Sequence, residues 1–471
     1  MKRILALLLI CIMAFSLVSC GGGDDADGKV ITWYAFGEEQ PDMAKVMEAA
    51  NKIIEPKLGV KLDLKFIPSS AYDQRMKMMM ASGAEFDICF TSNWKNDYVS
   101  AARDGGLLNI TDLISEDLYG IMEDKYWDDM KIDGKIYAVP NMQVMYQQLA
   151  VSVRADLVEK YDIDLSNVEH IEDIEPVLEL LHEKEPTLYT YNNRWSTHPW
   201  VDDIATDVSG GVGVSALKAT GEIVSDGIPE SKRAVEKIRE WYQKGYIRQD
   251  YASANNDNNV TDINQGKYAV MVQGYKPGQE QSDTIKYVYK TITKPHFTGA
   301  TGTALGIGAG SKNPEKALEL IHLVNTNKEL YNIICYGLEG VHYDLNEEGK
   351  IVKKEKSGYD PNSDWQFGNQ FNAILTEGME DDVWERTKKL NDEAIVSVTT
   401  TFKLDTEPIK NELAQMKAAN DEFGDYVTIK PAAYEKYKKD KTAAQKAAGR
   451  DKVVKEIEKQ MKAHVKASKK K

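Results

Sequence analysis

The sequence predicts an α/β protein of two lobes, built on mostly parallel sheets flanked by helices, with helices added at its C-terminal end. Three observations predict it. Strand and helix patterns alternate from Val30 to Phe90, the order that gives a parallel sheet with right-handed crossovers. A second strand–helix series opens at Leu149-Ala150-Val151-Ser152-Val153, and the chain turns back near residues 291–297. Finally, 471 residues are too many for one core, so two or three domains are expected.

Val30-Ile31-Thr32-Trp33-Tyr34 is β-branched and aromatic and reads as a strand. Pro41 opens a helix with Met43, Val46, Met47, Ala50, Ile53 and Ile54 on one face; Pro56 and Gly59 close it. Val60, Leu62, Leu64 and Phe66 then alternate with Lys61, Asp63 and Lys65, a strand with one buried face. A helix over residues 72–82 stops at Gly83, and residues 86–90 form a short apolar strand. In such a sheet ligands sit beyond the carboxyl ends of the strands. Ala35-Phe36-Gly37-Glu38 follows the first strand and Thr91-Ser92-Asn93-Trp94 the third. Phe36, Glu38, Asn93 and Trp94 are therefore candidate ligand contacts. Asn93 offers a donor and an acceptor, and Trp94 a flat apolar face that would serve a core or hinge equally well.

Asp133-Gly134-Lys135 is a turn, and Ile136-Tyr137-Ala138-Val139-Pro140 a strand. The crossing to the second lobe falls within residues 140–149, and Asn141 at its start joins the candidates. Helices follow near residues 171–183 and 232–244; on the latter, Trp241 reads as core. Residues 262–266 form a short turn that feeds the strand Tyr268-Ala269-Val270-Met271-Val272. Ala304-Leu305-Gly306-Ile307-Gly308-Ala309 is a glycine-bearing strand whose spacing is not a dinucleotide fingerprint, so the glycines signal close packing. Asn313-Pro314 starts a helix with Ala317, Leu318, Ile321 and Val324 on its apolar face. From about Glu407 the chain is helical and charged. In its Lys-rich end, residues 436–471, the spacing of Val453, Val454, Ile457 and Met461 favours a solvated helix with one packed face over a membrane-surface role.

The formal charge of −15 argues against nucleic acid, which needs a clustered basic footprint. Cys11, Cys20, Cys89 and Cys335 form no Cys-x-x-Cys pair, so neither a zinc ribbon nor a thioredoxin-type site is expected. Cys89 and Cys335 sit in apolar runs and read as buried thiols rather than a disulfide. Asn255-Asn256-Asp257-Asn258-Asn259 lacks the glycine and closing Glu of a calcium loop and reads as a polar loop. No metal and no cofactor is expected.

The first residues supply an address. Lys2 and Arg3 precede an apolar run from Ile4 to Val18, the pattern of a secretory signal. It ends at Leu17-Val18-Ser19-Cys20, followed by Gly21-Gly22-Gly23-Asp24-Asp25. This resembles the lipobox of bacterial lipoproteins, which implies cleavage before Cys20, acylation there, and a lipid anchor at the extracellular face of the cell membrane.

Several segments together resemble the family 1 extracellular solute-binding proteins of bacterial ABC importers. They are the lipobox, Ser82-Gly83-Ala84-Glu85-Phe86-Asp87-Ile88, Asp133-Gly134-Lys135-Ile136-Tyr137-Ala138-Val139-Pro140 and Asn313-Pro314-Glu315-Lys316-Ala317-Leu318-Glu319-Leu320. Tyr336-Gly337-Leu338-Glu339-Gly340-Val341-His342-Tyr343 and Trp365-Gln366-Phe367-Gly368-Asn369-Gln370 are similar to a Gram-positive, mostly carbohydrate-linked branch with a distinctive C-terminal region. The resemblance spans nearly the whole mature chain. It implies a periplasmic-binding-protein-like fold of two discontinuous lobes joined by hinge strands. The expected division is a signal at 1–19, a lipidated tether at 20–29, lobe 1 at 30–143 with 297–340, lobe 2 at 144–296 with 341–405, and C-terminal helices at 406–471. It also implies a monomer that closes on an oligosaccharide and presents it to permease subunits, with no chemistry on the ligand.

Aromatic residues fit a sugar. A pyranose ring stacks its apolar face on Trp or Tyr, and this chain has 8 Trp and 24 Tyr against 10 Phe. Tyr275, after the strand ending near Gln273-Gly274, lies where the family often places an aromatic platform. Arg194 and Trp195, in Asn192-Asn193-Arg194-Trp195-Ser196-Thr197-His198-Pro199-Trp200, and Asp364 and Trp365 lie in irregular stretches and join the candidates, as does Glu339. Two alternatives stay open. The same fold could instead bind a peptide, a polyamine or another small charged metabolite; a carboxylate-bearing one would call for a cleft arginine, with Arg194 best placed. A surface glycoside hydrolase would need two opposed carboxylates, but no Gly-x-Ser-x-Gly or His-Glu-x-x-His accompanies the acidic residues.

Overall fold

The computed structural model describes residues 30–253, 261–279 and 285–468. The signal at 1–19, Cys20 with its tether, and the polar loop at 255–259 lie outside the described residues.

In the first lobe, β1 (Val30–Phe36), β2 (Lys61–Ile67), β3 (Ile88–Thr91) and β4 (Ala138–Pro140) are joined by a late strand, β14 (Ala304–Ile307). The order across the sheet is β2-β1-β3-β14-β4. β1 runs parallel to both neighbours. The helices Met43–Leu58 and Ser69–Ser82 fill the two connections, and a filled crossover returns the chain in the same direction. Ile31, Trp33 and Ala35 are fully buried at every second position, as the strand period requires. β14 re-enters from the other lobe and lies antiparallel to β3 and β4. A Cβ on Gly308 would stand 2.5 Å from the Phe86 carbonyl oxygen, and one on Gly306 2.8 Å from Leu107 Cδ2. Close packing explains those glycines.

The crossing uses β5 (Tyr146–Gln147). The second lobe holds β6 (Leu149–Arg154), β7 (Tyr189–Asn192), β11 (Tyr268–Gly274) and β12 (Tyr287–Thr291) in the order β12-β6-β11-β7. Two of its three pairings are antiparallel, which corrects the expectation of a mostly parallel sheet in this lobe. β7 and β11, the parallel pair, are consecutive in this sheet and are connected through a long helix, Pro229–Gln243. Trp241 on that helix is fully buried. A smaller antiparallel sheet is made of β8 (Ala205–Asp207), β9 (Ser215–Leu217) and β10 (Ile223–Val224).

Three passages of chain meet at the crossing. β5 pairs with β13 (His296–Phe297), and His296 bridges Ile395. The Phe297 N–H donates to the Ile395 carbonyl at 3.0 Å and Thr298 N–H to the Met145 carbonyl at 2.9 Å. The segment 341–394, expected with lobe 2, instead packs into the first core. Tyr359, Phe367, Ala373 and Ala394 are buried there with Trp33 and Leu330. The Tyr359 hydroxyl donates to the Ile334 carbonyl at 2.6 Å and the Tyr331 hydroxyl to the Asp364 carbonyl at 2.8 Å. This stretch has little regular structure, so no hydrophobic period could assign it to a lobe.

The C-terminal helices Lys410–Phe423, Pro431–Ala447 and Arg450–Ser468 sit on the second lobe. Met416, Val453 and Ile457 share a buried cluster with Val212 and Val214. Among the described residues no helix is long and apolar enough to cross a membrane.

Cys89 and Cys335 are free and buried. Burial pushes the Cys89 thiol up to about 12 and the Cys335 thiol well above its ordinary range, so neither supplies thiolate at neutral pH. Iodoacetamide is expected to leave both unmodified in the native protein and to alkylate both after denaturation, read by intact mass.

Candidate functional site

Beyond the carboxyl ends of β1 and β3 lies a cluster of aromatic rings. Phe36 leaves β1 half-buried, with its ring centroid 5.7 Å from both Trp94 and Trp365. Trp94 and Trp365 are 6.0 Å apart, and Phe90 lies beneath them at 6.0 and 5.8 Å. Trp94 is 53% exposed, and its indole N–H donates to the Gly302 carbonyl at 2.9 Å. Trp365 arrives from a short turn, Asp364–Gln366. Gln366 docks that turn on β1: its Oε1 accepts from Phe36 N–H at 3.3 Å, and its Nε2 donates to the Phe36 carbonyl at 3.0 Å.

Asn141 is buried, and its Nδ2 donates to the carbonyls of Trp365 and Gln366 at 3.1 and 2.9 Å. It holds the tryptophan in place from a buried position, and its Oδ1 has no hydrogen-bond partner among the described residues. Asp364 Oδ2 accepts from the Tyr336 hydroxyl and from Gln370 Nε2, each at 3.0 Å. Burial, with Asp364 beside it, pushes the Tyr336 phenol well up, so it stays a neutral donor.

Two cavities meet at the crossing. One, of about 570 Å³, is lined by Asp364, Trp365 and Gln370 from the first lobe and by Lys276, Pro277 and Gly278 from the second. The other, of about 470 Å³, is lined by Tyr146, Gln148, Trp195 and Tyr275. Val144 and Lys276 line both. Each is in the size range of small-molecule sites. The hydroxyls of Tyr146 and Ser363, residues of the two walls, are buried without a hydrogen-bond partner among the described residues. Such groups are ones a ligand or water would satisfy.

Trp195 and Tyr275 thus converge in the second lobe, the Trp195 Cζ2 lying 4.0 Å from where a Gly274 Cβ would be. The Tyr275 ring is 5.6 Å from Tyr289, and its N–H donates to the Gln148 carbonyl at 2.8 Å. Asn93 and Trp94 line a further cavity of about 720 Å³ between the helices Ser69–Ser82 and Tyr98–Arg103. The structure does not gather the other candidates into this group. Glu38 is exposed, and its carbonyl accepts from Gln40 Nε2 at 2.9 Å. Arg194 is exposed and lines neither cavity at the crossing. Glu339 is exposed in a turn anchored by His342, whose Nε2 lies 3.2 Å from Asp42 Oδ2. Lys276, Gln148, Tyr146 and Gln366 were not anticipated. The available signal was position: Tyr146 and Gln148 fall within the crossing, and Lys276 follows Tyr275.

Two α/β lobes joined by three passages of chain, with ligand-sized cavities at the junction, have the architecture of a solute-binding protein. Residues 40–330 match the family described as bacterial extracellular solute-binding protein, and the chain belongs to that family. Residues 398–466 match a domain of unknown function, DUF3502. Among curated proteins, a carbohydrate ABC transporter substrate-binding protein of Streptococcus pneumoniae is 28% identical over 438 residues, 87% of each chain. The polygalacturonan/rhamnogalacturonan-binding protein YtcQ of Bacillus subtilis is 23% identical over 406 residues, 77% of this chain and 78% of that one. Among solved structures, the N-glycan transport solute-binding protein NgtS of Streptococcus pneumoniae matches with a TM-score of 0.80 at 25% identity, over 93% of this chain and 99% of that one. Its complexes with Man1GlcNAc and Man5GlcNAc match at 0.72 and 0.70. The two-lobed α/β expectation holds. The family is one of transport binding proteins, not of enzymes, and among the described residues no His, Cys, Asp and Glu group is arranged to hold a metal ion.

Proposed function

We propose that this protein captures an oligosaccharide between its lobes and delivers it to the permease subunits of an ABC importer. It does so as a monomer held at the extracellular face of the membrane by an acylated Cys20. One observation carries the reading: aromatic faces from both lobes, Trp365 on one side and Trp195 with Tyr275 on the other, line two cavities that share Val144 and Lys276. A sugar between them touches both lobes only when they approach. Its differential affinity then shifts the population toward the closed form. The permease reads that form, and no bond in the ligand changes.

The test is calorimetric titration of the chain after Cys20 against mannose-containing glycans, starting with Man5GlcNAc, then pectic and other oligosaccharides, peptides and polyamines. Recovered ligand is checked for cleavage. Saturable binding of an intact oligosaccharide supports the reading. Binding of a peptide or amine instead overturns the ligand class, and turnover overturns the binding-protein role.

A further inference from the structure

We propose that the C-terminal region, which matches a domain of unknown function, positions the Trp195 wall of the binding cleft through Tyr426. This rests on the reading of Trp195 as ligand-facing. Tyr426 stands in the link between the helices Lys410–Phe423 and Pro431–Ala447. Its hydroxyl is 3.0 Å from Ser196 Oγ, one residue beyond Trp195. Ser196 has φ +46°, a left-handed backbone that serine adopts only where its surroundings enforce it. The Ser196 N–H closes the turn on the Asn193 carbonyl at 3.0 Å, and His198 Nδ1 lies 2.8 Å from the Trp195 carbonyl.

Tyr426 is itself fixed from the second lobe. Buried Arg239 donates from Nη1 to the Tyr426 carbonyl at 2.6 Å, and its guanidinium lies 3.8 Å over the Tyr434 ring. Val427 is buried in the second core. Burial pushes the Tyr426 phenol up, so its hydroxyl remains protonated. The turn bearing Trp195 is therefore seated between its own lobe and a rigid post supplied by residues more than two hundred positions later. The C-terminal region shapes the cleft from behind without touching the ligand.

The test uses the chain after Cys20 as Tyr426→Phe, which removes one oxygen, and Ser196→Ala, with Trp195→Ala as reference. Two readouts are followed: hydrogen exchange of amides 193–198 and titration with Man5GlcNAc. Tyr426→Phe is expected to speed exchange in that segment about three- to tenfold and to weaken binding by a similar factor, the scale of one hydrogen bond. Exchange elsewhere and the melting temperature stay unchanged. Ser196→Ala reproduces the local effect, and the double variant adds nothing further. Unchanged exchange at 193–198 in both single variants overturns the proposal. Faster exchange in Tyr426→Phe with normal binding in Trp195→Ala leaves the positioning role standing and removes Trp195 from the ligand site.

Discussion

Replacing Trp365 with alanine is expected to weaken oligosaccharide binding by about thirty- to several-hundredfold, the loss of about 2–4 kcal/mol that a buried tryptophan anchor accounts for. The side chain is placed for that role. Its carbonyl is held by Asn141 at 3.1 Å and its ring is set among Phe36, Phe90 and Trp94 at 5.7 to 6.0 Å. It lines the wall opposite Lys276, Pro277 and Gly278, so a ligand ring stacked on it would be covered when the lobes close. Trp365→Phe keeps a flat face and is expected to lose about tenfold or less. Asn141→Ala is expected to loosen the same turn and to reduce affinity without removing any ring. Calorimetry on the three variants checks this order. Affinity of Trp365→Ala within about threefold of wild type would place the sugar elsewhere, with the larger cavity beside Asn93 and Trp94 as the next candidate.

The second large effect is on stability. Lys403→Met is expected to cost about 3–5 kcal/mol, the range for breaking one half of a buried ion pair. Lys403 Nζ lies 2.7 Å from Asp129 Oδ1, and the Asp129 side chain is fully buried while that of Lys403 is 15% exposed. The other Asp129 oxygen accepts from Ala300 N–H at 2.6 Å. Losing the lysine leaves an uncompensated carboxylate in the interior, and methionine fills the same length without replacing its charge. Asp129→Asn added to Lys403→Met is expected to recover much of the loss, because the remaining groups are neutral. The pair also joins distant parts. Arg103 Nη1 donates to the Leu404 carbonyl at 3.2 Å, while Asp405 exchanges two hydrogen bonds with Gln460 at 2.8 and 2.9 Å. The strap at 403–405 thus ties the first lobe to helices seated on the second. Urea unfolding followed by tryptophan fluorescence and by far-ultraviolet dichroism reads the change. Coincident, unshifted curves for Lys403→Met would rule out a stabilising pair.

The N-terminal part of the first lobe, from β1 to β3, was legible residue by residue. Alternation in β2 and the face made by Val46, Met47, Ala50 and Ile54 are local periodicities, and the buried positions follow them. Buried thiols at Cys89 and Cys335 and a core Trp241 were legible for the same reason: an apolar neighbourhood in sequence became one in space. In the site, the type of side chain was readable and its partners were not. Trp195, Tyr275, Asp364 and Trp365 stood out as candidate contacts in or beside irregular chain, and the fold places them along the two cavities at the crossing. Asn141 and Glu339 were candidates too, yet one is buried beneath a tryptophan and the other is exposed in a separate turn.

The sequence by itself determined the strand–helix order from β1 to β3, the acidic character of the chain, and the aromatic side chains it offers. These depend on spacings of a few residues, where the backbone period alone selects the buried face. Only the tertiary structure decided that β14 returns antiparallel, that residues 341–394 belong with the first core, that the C-terminal helices rest on the second lobe, and which aromatic residues face one another. Those outcomes join residues hundreds of positions apart. They are selected by which surfaces remain unburied once the local elements have formed, and no local pattern encodes that choice.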